Sequence, residues 1–121
     1  MNKTILIVDD SATDRQLLIR ILKEHPYTLI TAETGEEAIS LSESHQPDCI
    51  LMDVVMPAMN GFEATRHLKK TASTQHIPVI MVSSKDQEID KVWSQKQGAR
   101  AYITKPVVEQ ALINTVDEVL N

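Results

Sequence analysis

The chain has 121 residues, 42% of them hydrophobic and 24% charged, which is the balance of one compact folded domain rather than of a disordered segment. Its formal net charge of −5 argues against unspecific attachment to nucleic acid or to an anionic membrane, since both favour basic surfaces. The single cysteine, Cys49, excludes an internal disulfide and suits a reducing cytoplasm.

In chain order, the first predicted element is the apolar run Ile5–Val8. It is too short for a signal-peptide core and far too short to cross a bilayer, and no other stretch comes closer, so a soluble, unexported, cytoplasmic protein is expected. A helical pattern follows over Ala12–Glu24, with Leu17, Leu18, Ile21 and Leu22 on one side. The next strand, Thr28–Ala32, is the most mixed of the set and should lie nearest a sheet edge. A helix over Glu36–Ser44 carries Ala38 and Leu41, and the strand Cys49–Met52 buries Cys49 as a small core residue. A helix over Phe62–Lys70 with Thr65 and Leu68 leads to the strand Val79–Val82. The fourth helix, Gln87–Gln97, has Ile89, Val92 and Trp93 as its apolar set, and partial burial is expected for Trp93. The strand Ala101–Thr104 and a helix over Glu109–Leu120, with Leu112, Val116 and Val119 at helical spacing, close the series.

All five prolines fall in connections, and the three glycines stand where helices begin or end. The strands are continuous apolar runs rather than alternating ones, as expected for strands covered on both faces. Five strictly alternating β-α units predict an α/β fold, a doubly wound parallel sheet with right-handed crossovers. In such sheets the functional groups gather at the carboxyl ends of the strands.

Four of those strand ends carry chemistry. The first ends in Asp9-Asp10, the third in Asp53, the fourth in Ser83-Ser84 and the fifth in Lys105-Pro106. Three carboxylates in one cleft need a proton or a cation, and Mg²⁺, a hard ion suited to carboxylate, carbonyl and water oxygens, is the natural cofactor. Asp10 and Asp53 are the expected direct ligands, with Asp9 acting through water. A carboxylate can take a phosphoryl group as an aspartyl phosphate, while a metal and an ammonium neutralise the equatorial oxygens. Asp53, ending the expected central strand, is the nucleophile candidate, with Ser83 and Lys105 as phosphoryl partners. Each of these residues alone is better explained as a turn, a helix cap or a solvated loop. The functional reading rests on the four strand ends converging.

The stretches Ile7-Val8-Asp9-Asp10-Ser11, Leu51-Met52-Asp53-Val54-Val55-Met56-Pro57, Asn60-Gly61, Pro78-Val79-Ile80 and Lys105-Pro106 together resemble the receiver domains of bacterial two-component response regulators. The resemblance covers essentially the whole chain. It implies a flavodoxin-like (βα)5 fold with strand order 2-1-3-4-5 and a single receiver domain over residues 1–121 with no output domain. It implies Asp53 as phosphoacceptor, Asp9, Asp10, Asp53 and the backbone carbonyl of Val55 as metal ligands, and Ser83 and Lys105 as the remaining catalytic groups. Ser83 and Tyr102 match the switch positions, which reshape the face made by the fourth helix, fifth strand and fifth helix. No catalysis beyond self-directed phosphotransfer and autodephosphorylation is implied. Within the family, Lys85-Asp86-Gln87-Glu88, Asp90-Lys91-Val92-Trp93 and Gln97-Gly98-Ala99-Arg100 look like a small stand-alone regulator of twitching motility. That likeness implies a partner histidine kinase of chemosensory type and an output on type IV pili. A phosphate sink for a shared kinase stays open beside that output.

Val55 is apolar where the best-known chemotaxis receiver has an amide, and Lys85 is basic where it has an acid. Both flank the presumed path of a hydrolytic water, so a different autodephosphorylation rate is expected. His25, His45, His67 and His76 sit near helix ends or in loops and read as surface residues, with no zinc-site spacing among them. Lys69-Lys70 reads as a solvated helix end. A Mg²⁺ phosphohydrolase would need a substrate-covering cap, and a flavin carrier a Ser/Thr/Gly-rich loop after the first strand. Neither is present, and the intact acidic set argues against a receiver that works by contacts alone.

Overall fold

The computed structural model describes residues 2–121. Five strands, β1 (Lys3–Val8), β2 (Tyr27–Ala32), β3 (Cys49–Asp53), β4 (Val79–Ser83) and β5 (Ala101–Thr104), alternate with five helices. The helices are α1 (Ala12–Leu22), α2 (Gly35–His45), α3 (Gly61–Lys70), α4 (Glu88–Lys96) and α5 (Glu109–Leu120). All neighbouring strands pair in parallel, in the order β2-β1-β3-β4-β5, which is the flavodoxin-like arrangement.

The pleat explains why the strands read as continuous apolar runs. Along β1, Leu6 and Val8 join one core cluster, while Ile5 and Ile7 join the other. The same alternation sends Ile50 and Met52 of β3 to the first cluster and Cys49 and Leu51 to the second. Ala38 of α2 with Ala64 and Leu68 of α3 close the first layer, and Leu18, Ile21 and Leu22 of α1 with Leu112 and Val116 of α5 close the second. Both faces are therefore covered, and the two edge strands, β2 and β5, are the least buried. Cys49 is fully buried, and burial, with a smaller contribution from Asp48, pushes its thiol up to about 12, so it acts as an inert core residue.

Helix α4 turns its apolar set toward solvent. Ile89 is 65% exposed and Val92 37%, while Trp93, expected to be partly buried, is 46% exposed. The buried positions are polar, Ser94 within the helix and Gln97 at its C-cap. The helix thus presents its apolar side outward. Periodicity reveals that a stripe exists and says nothing about which way it points.

Lys69 departs from expectation. Its stem packs against Gly98, and its ammonium donates to the carbonyls of Gln75 and Ile77, closing the connection between α3 and β4. Burial, then the nearby Arg100, lowers its pKa, so it is a structural cap rather than a solvated helix end. His45, His67 and His76 are exposed as expected, and His25 is half-buried, stacked on Tyr27.

Candidate functional site

Strand order brings the ends of β1, β3, β4 and β5 side by side, and their terminal residues meet. Val8 pairs with Met52, one residue before each acidic position, so Asp9 and Asp53 leave adjacent strands at matching heights. Asp9 is 1% exposed and Asp53 6%, whereas Asp10 is exposed at the rim. Asp9, Asp10 and Asp53 each offer a carboxylate oxygen within 4.8 Å of the others, the one such group among the described residues.

Lys105, just past β5, closes the site. Its ammonium lies 2.9 Å from Asp9 Oδ2, 3.3 Å from Asp53 Oδ1 and 2.8 Å from Asp14 Oδ2. Asp14 did not enter the sequence-based set, because nothing in the spacing links the first turn of α1 to Lys105. Burial works to lower the pKa of Lys105. Hydrogen bonds to Asp14 and Asp9 and the charge of Asp53 outweigh it and raise the value above the ordinary lysine range. Burial, then the charge of Asp9, raises the Asp53 carboxyl to about 6, against the lowering pull of Lys105.

Two loops hold the carboxylates. Between β1 and α1, Asp9 Oδ1 accepts from the Ser11 N–H at 2.9 Å, and Ser11 Oγ caps α1 by accepting from the Asp14 N–H at 3.2 Å. Arg15 donates to the Asp9 carbonyl at 2.7 Å and pairs with Glu33 at 3.4 Å, which ties the end of β2 to the site although β2 supplies no central group. Between β3 and α3, Val54 and Met56 are buried while Val55 is 56% exposed. Gly61 begins α3 against the Asp53 backbone, where a Cβ would collide with the Asp53 carbonyl oxygen, and its N–H donates to the Val54 carbonyl at 2.8 Å. Close approach, not a positive φ, is what requires glycine there. Asn60 and Glu63 form a reciprocal capping box that fixes the helix start.

Ser83 ends β4 fully buried. Its Oγ accepts from the Lys85 N–H at 3.1 Å, and the Lys85 carbonyl accepts from the Tyr102 hydroxyl at 2.6 Å. Ser83 and the half-buried Tyr102 of β5 are therefore linked through the backbone of Lys85.

A parallel five-stranded switch-type α/β fold with an acidic pocket and a lysine at its strand ends is the architecture of the response regulator receiver domain, whose family model matches residues 5–117. The chain belongs to this family. It is 52% identical over 116 residues to protein PilH of Pseudomonas aeruginosa, covering 96% of each chain. The polar-differentiation response regulator DivK of Brucella ovis is 34% identical over 120 residues, covering 99% of this chain and 98% of that protein. Among solved structures, the chemotaxis protein CheY4 of Vibrio cholerae superposes with a TM-score of 0.93 at 29% identity, covering 99% of this chain and 100% of that one. Receiver domains are signalling domains of two-component systems. Phosphorylation and Mg²⁺ binding are general to them, they have no enzymatic activity beyond autophosphatase activity, and they interact with histidine kinases and downstream proteins. No helix among the described residues is long and apolar enough to cross a membrane.

The donor set fits the metal the family uses. Three hard carboxylates converge, as a small octahedral cation requires. Both Asp9 oxygens are already engaged, one by Ser11 and one by Lys105, whereas no such partner holds Asp10 among the described residues.

Proposed function

We propose that this protein is a single-domain response regulator that accepts a phosphoryl group on Asp53 from the phosphohistidine of a chemosensory-type kinase and signals through the α4-β5-α5 face, in control of type IV pili and twitching motility. The observation that carries the reading is the meeting of Asp53 with Asp9, Asp10 and Lys105. The likeness to PilH over nearly the whole of both chains supports the motility role and the single-domain arrangement. A buried, unreactive Cys49 is compatible with the cytoplasmic location that goes with it. Nucleic acid and membrane insertion play no part in this reading.

In the transfer, an Asp53 carboxylate oxygen attacks phosphorus, the P–N bond breaks, and its electron pair returns to the imidazole nitrogen of the kinase. Mg²⁺, held by Asp10, Asp53 and the Val55 carbonyl with Asp9 acting through water, would neutralise charge on the phosphoryl oxygens. Lys105, 3.3 Å from Asp53 Oδ1, would do the same, and its raised pKa keeps it charged throughout the physiological range. In the hydrolysis that resets the site, water attacks phosphorus, the bond from phosphorus to the Asp53 oxygen breaks, inorganic phosphate and a proton leave, and the Asp53 carboxylate is restored.

Phosphorylation brings the charge at Asp53 close to −2 and adds strong acceptor oxygens. Ser83 turns its hydroxyl toward them and disturbs the bond from Lys85, and with it the anchor of Tyr102. Differential interaction of this kind is what a two-state switch needs. The test is a beryllofluoride titration with Mg²⁺, reading Trp93 fluorescence beside an Asp53→Asn control. A Mg²⁺-dependent change lost in the control is expected. No change, together with no mass shift after exposure to a small phosphodonor, would overturn the reading.

A further inference from the structure

Lys105 has three N–H donors, and each has an acceptor. The shortest of these bonds runs to Asp14, at 2.8 Å, and the longest to Asp53, at 3.3 Å. Asp9, between them at 2.9 Å, is buried and held by Ser11 through its other oxygen, so it is fixed. Asp14 is different. Its side chain is 41% exposed, and with Lys105 it lines a cavity of about 110 Å³ beside Leu17, Leu18, Pro106 and Val107. Open space therefore lies beside the Asp14–Lys105 pair.

We propose that Asp14 is a positioning residue that tethers Lys105 toward α1 and so sets how readily its ammonium turns onto a phosphoryl group at Asp53. The inference rests on Asp53 being the phosphoacceptor and adds the group that competes with it for the lysine. Added charge at Asp53 draws Lys105 away from Asp14, so the tether favours the unphosphorylated state. By reciprocity, removing the tether must tighten binding of any ligand that selects the released lysine. A duller role is available, because Asp14 lies in the first turn of α1, where any carboxylate favours the helix dipole. That role is independent of Lys105, and this separates the two.

Wild type, Asp14→Asn, Asp14→Glu, Lys105→Met and the Asp14→Asn/Lys105→Met double variant are titrated with beryllofluoride at saturating Mg²⁺, with Trp93 fluorescence as the signal. Asp14→Asn is expected to tighten binding about two- to fivefold, the range open to a partly exposed ion pair. Asp14→Glu should return toward wild type, and the Asp14→Asn gain should vanish in the Lys105→Met background. An unchanged affinity in Asp14→Asn, or an equal gain in both backgrounds, would overturn the proposal. A ligand-free measurement covers the case of Lys105→Met binding too weakly to titrate. The Lys105 ammonium resonance should shift and exchange faster with water in Asp14→Asn, and an unmoved signal would defeat the idea. Wild type that binds no beryllofluoride would remove the phosphoacceptor reading itself, and this inference with it. Binding by wild type without an Asp14 effect removes the tether alone.

Discussion

The Asp53 carboxyl, raised to about 6 by burial and by Asp9, couples chemistry to stability at the level of a single residue. An unfolded chain would hold it near the ordinary value of about 3.9. Below that value both states are protonated and the group costs nothing. Between the two values the unfolded chain ionises first, so stability falls as pH rises, and above about 6 the folded state carries the full penalty. Two units correspond to about 3 kcal/mol as an upper figure. Asp53→Asn should therefore stabilise the Mg²⁺-free protein at pH 7.5 by up to about 3 kcal/mol, with the gain shrinking toward zero at pH 4. Urea unfolding at the two pH values checks this, and an equal gain at both would contradict it. Val55, two residues on, points an apolar side chain into solvent and cannot orient a water molecule there. Val55→Asn should shorten the phosphate lifetime several-fold, roughly within the range of a positioned polar group. Equal decay of the two phosphorylated proteins would remove Val55 from the account.

At the scale of elements, α3 is locked to the site by the absence of a side chain at Gly61. A methyl group there must push the helix start away from the Asp53 backbone. Gly61→Ala should cost about 2–3 kcal/mol, as overpacking does, and should weaken Mg²⁺ binding because Asp53 moves. Denaturant midpoints and a Mg²⁺ titration of the folded fraction report the two effects separately. Full stability in this variant would show that the loop over 54–60 yields freely. Much of the element map was legible beforehand. The boundaries of β5 and α5 agree with the sequence pattern residue for residue, and the other ends differ by two residues or fewer. Strands sandwiched between helices must be apolar throughout, and prolines mark the connections, so composition reveals them. Helix α4 was placed correctly, and its spacing left open which way the apolar side points, because its apolar and polar sides are both continuous. Lys69 was misjudged for a related reason, since a lysine stem can lie buried while its ammonium reaches backbone carbonyls.

For the molecule as a whole, the acidic triad and Lys105 could be found from the sequence because every one of them ends or follows a strand, and parallel topology assembles strand ends whatever the helices do. Asp14 escaped because its tie to Lys105 spans 91 positions and belongs to a helix. The same topology separates the site from the surface that would report it. Trp93, Ile89 and Val92 form an exposed apolar strip on α4, and Tyr102 of β5 joins the site to that side of the molecule through Lys85. Replacing Ile89 and Trp93 together by serine should leave the rate of phosphorylation from a small phosphodonor nearly unchanged. The same change should weaken capture of the phosphorylated protein's output partner by tenfold or more, on the order of an interface hot spot. Parallel phosphorylation and partner-binding assays separate these effects, and unimpaired binding would move the output face elsewhere.

An inside-out α4 has one more consequence. A helix whose greasy side already faces water gives up little when it lifts, since the contacts left behind are those of Ser94 and Gln97 rather than of a leucine zip. Of the five helices it is the one with the shallowest roots. The proposed switch then asks no large push of a single phosphate, because α4 has few buried contacts to break.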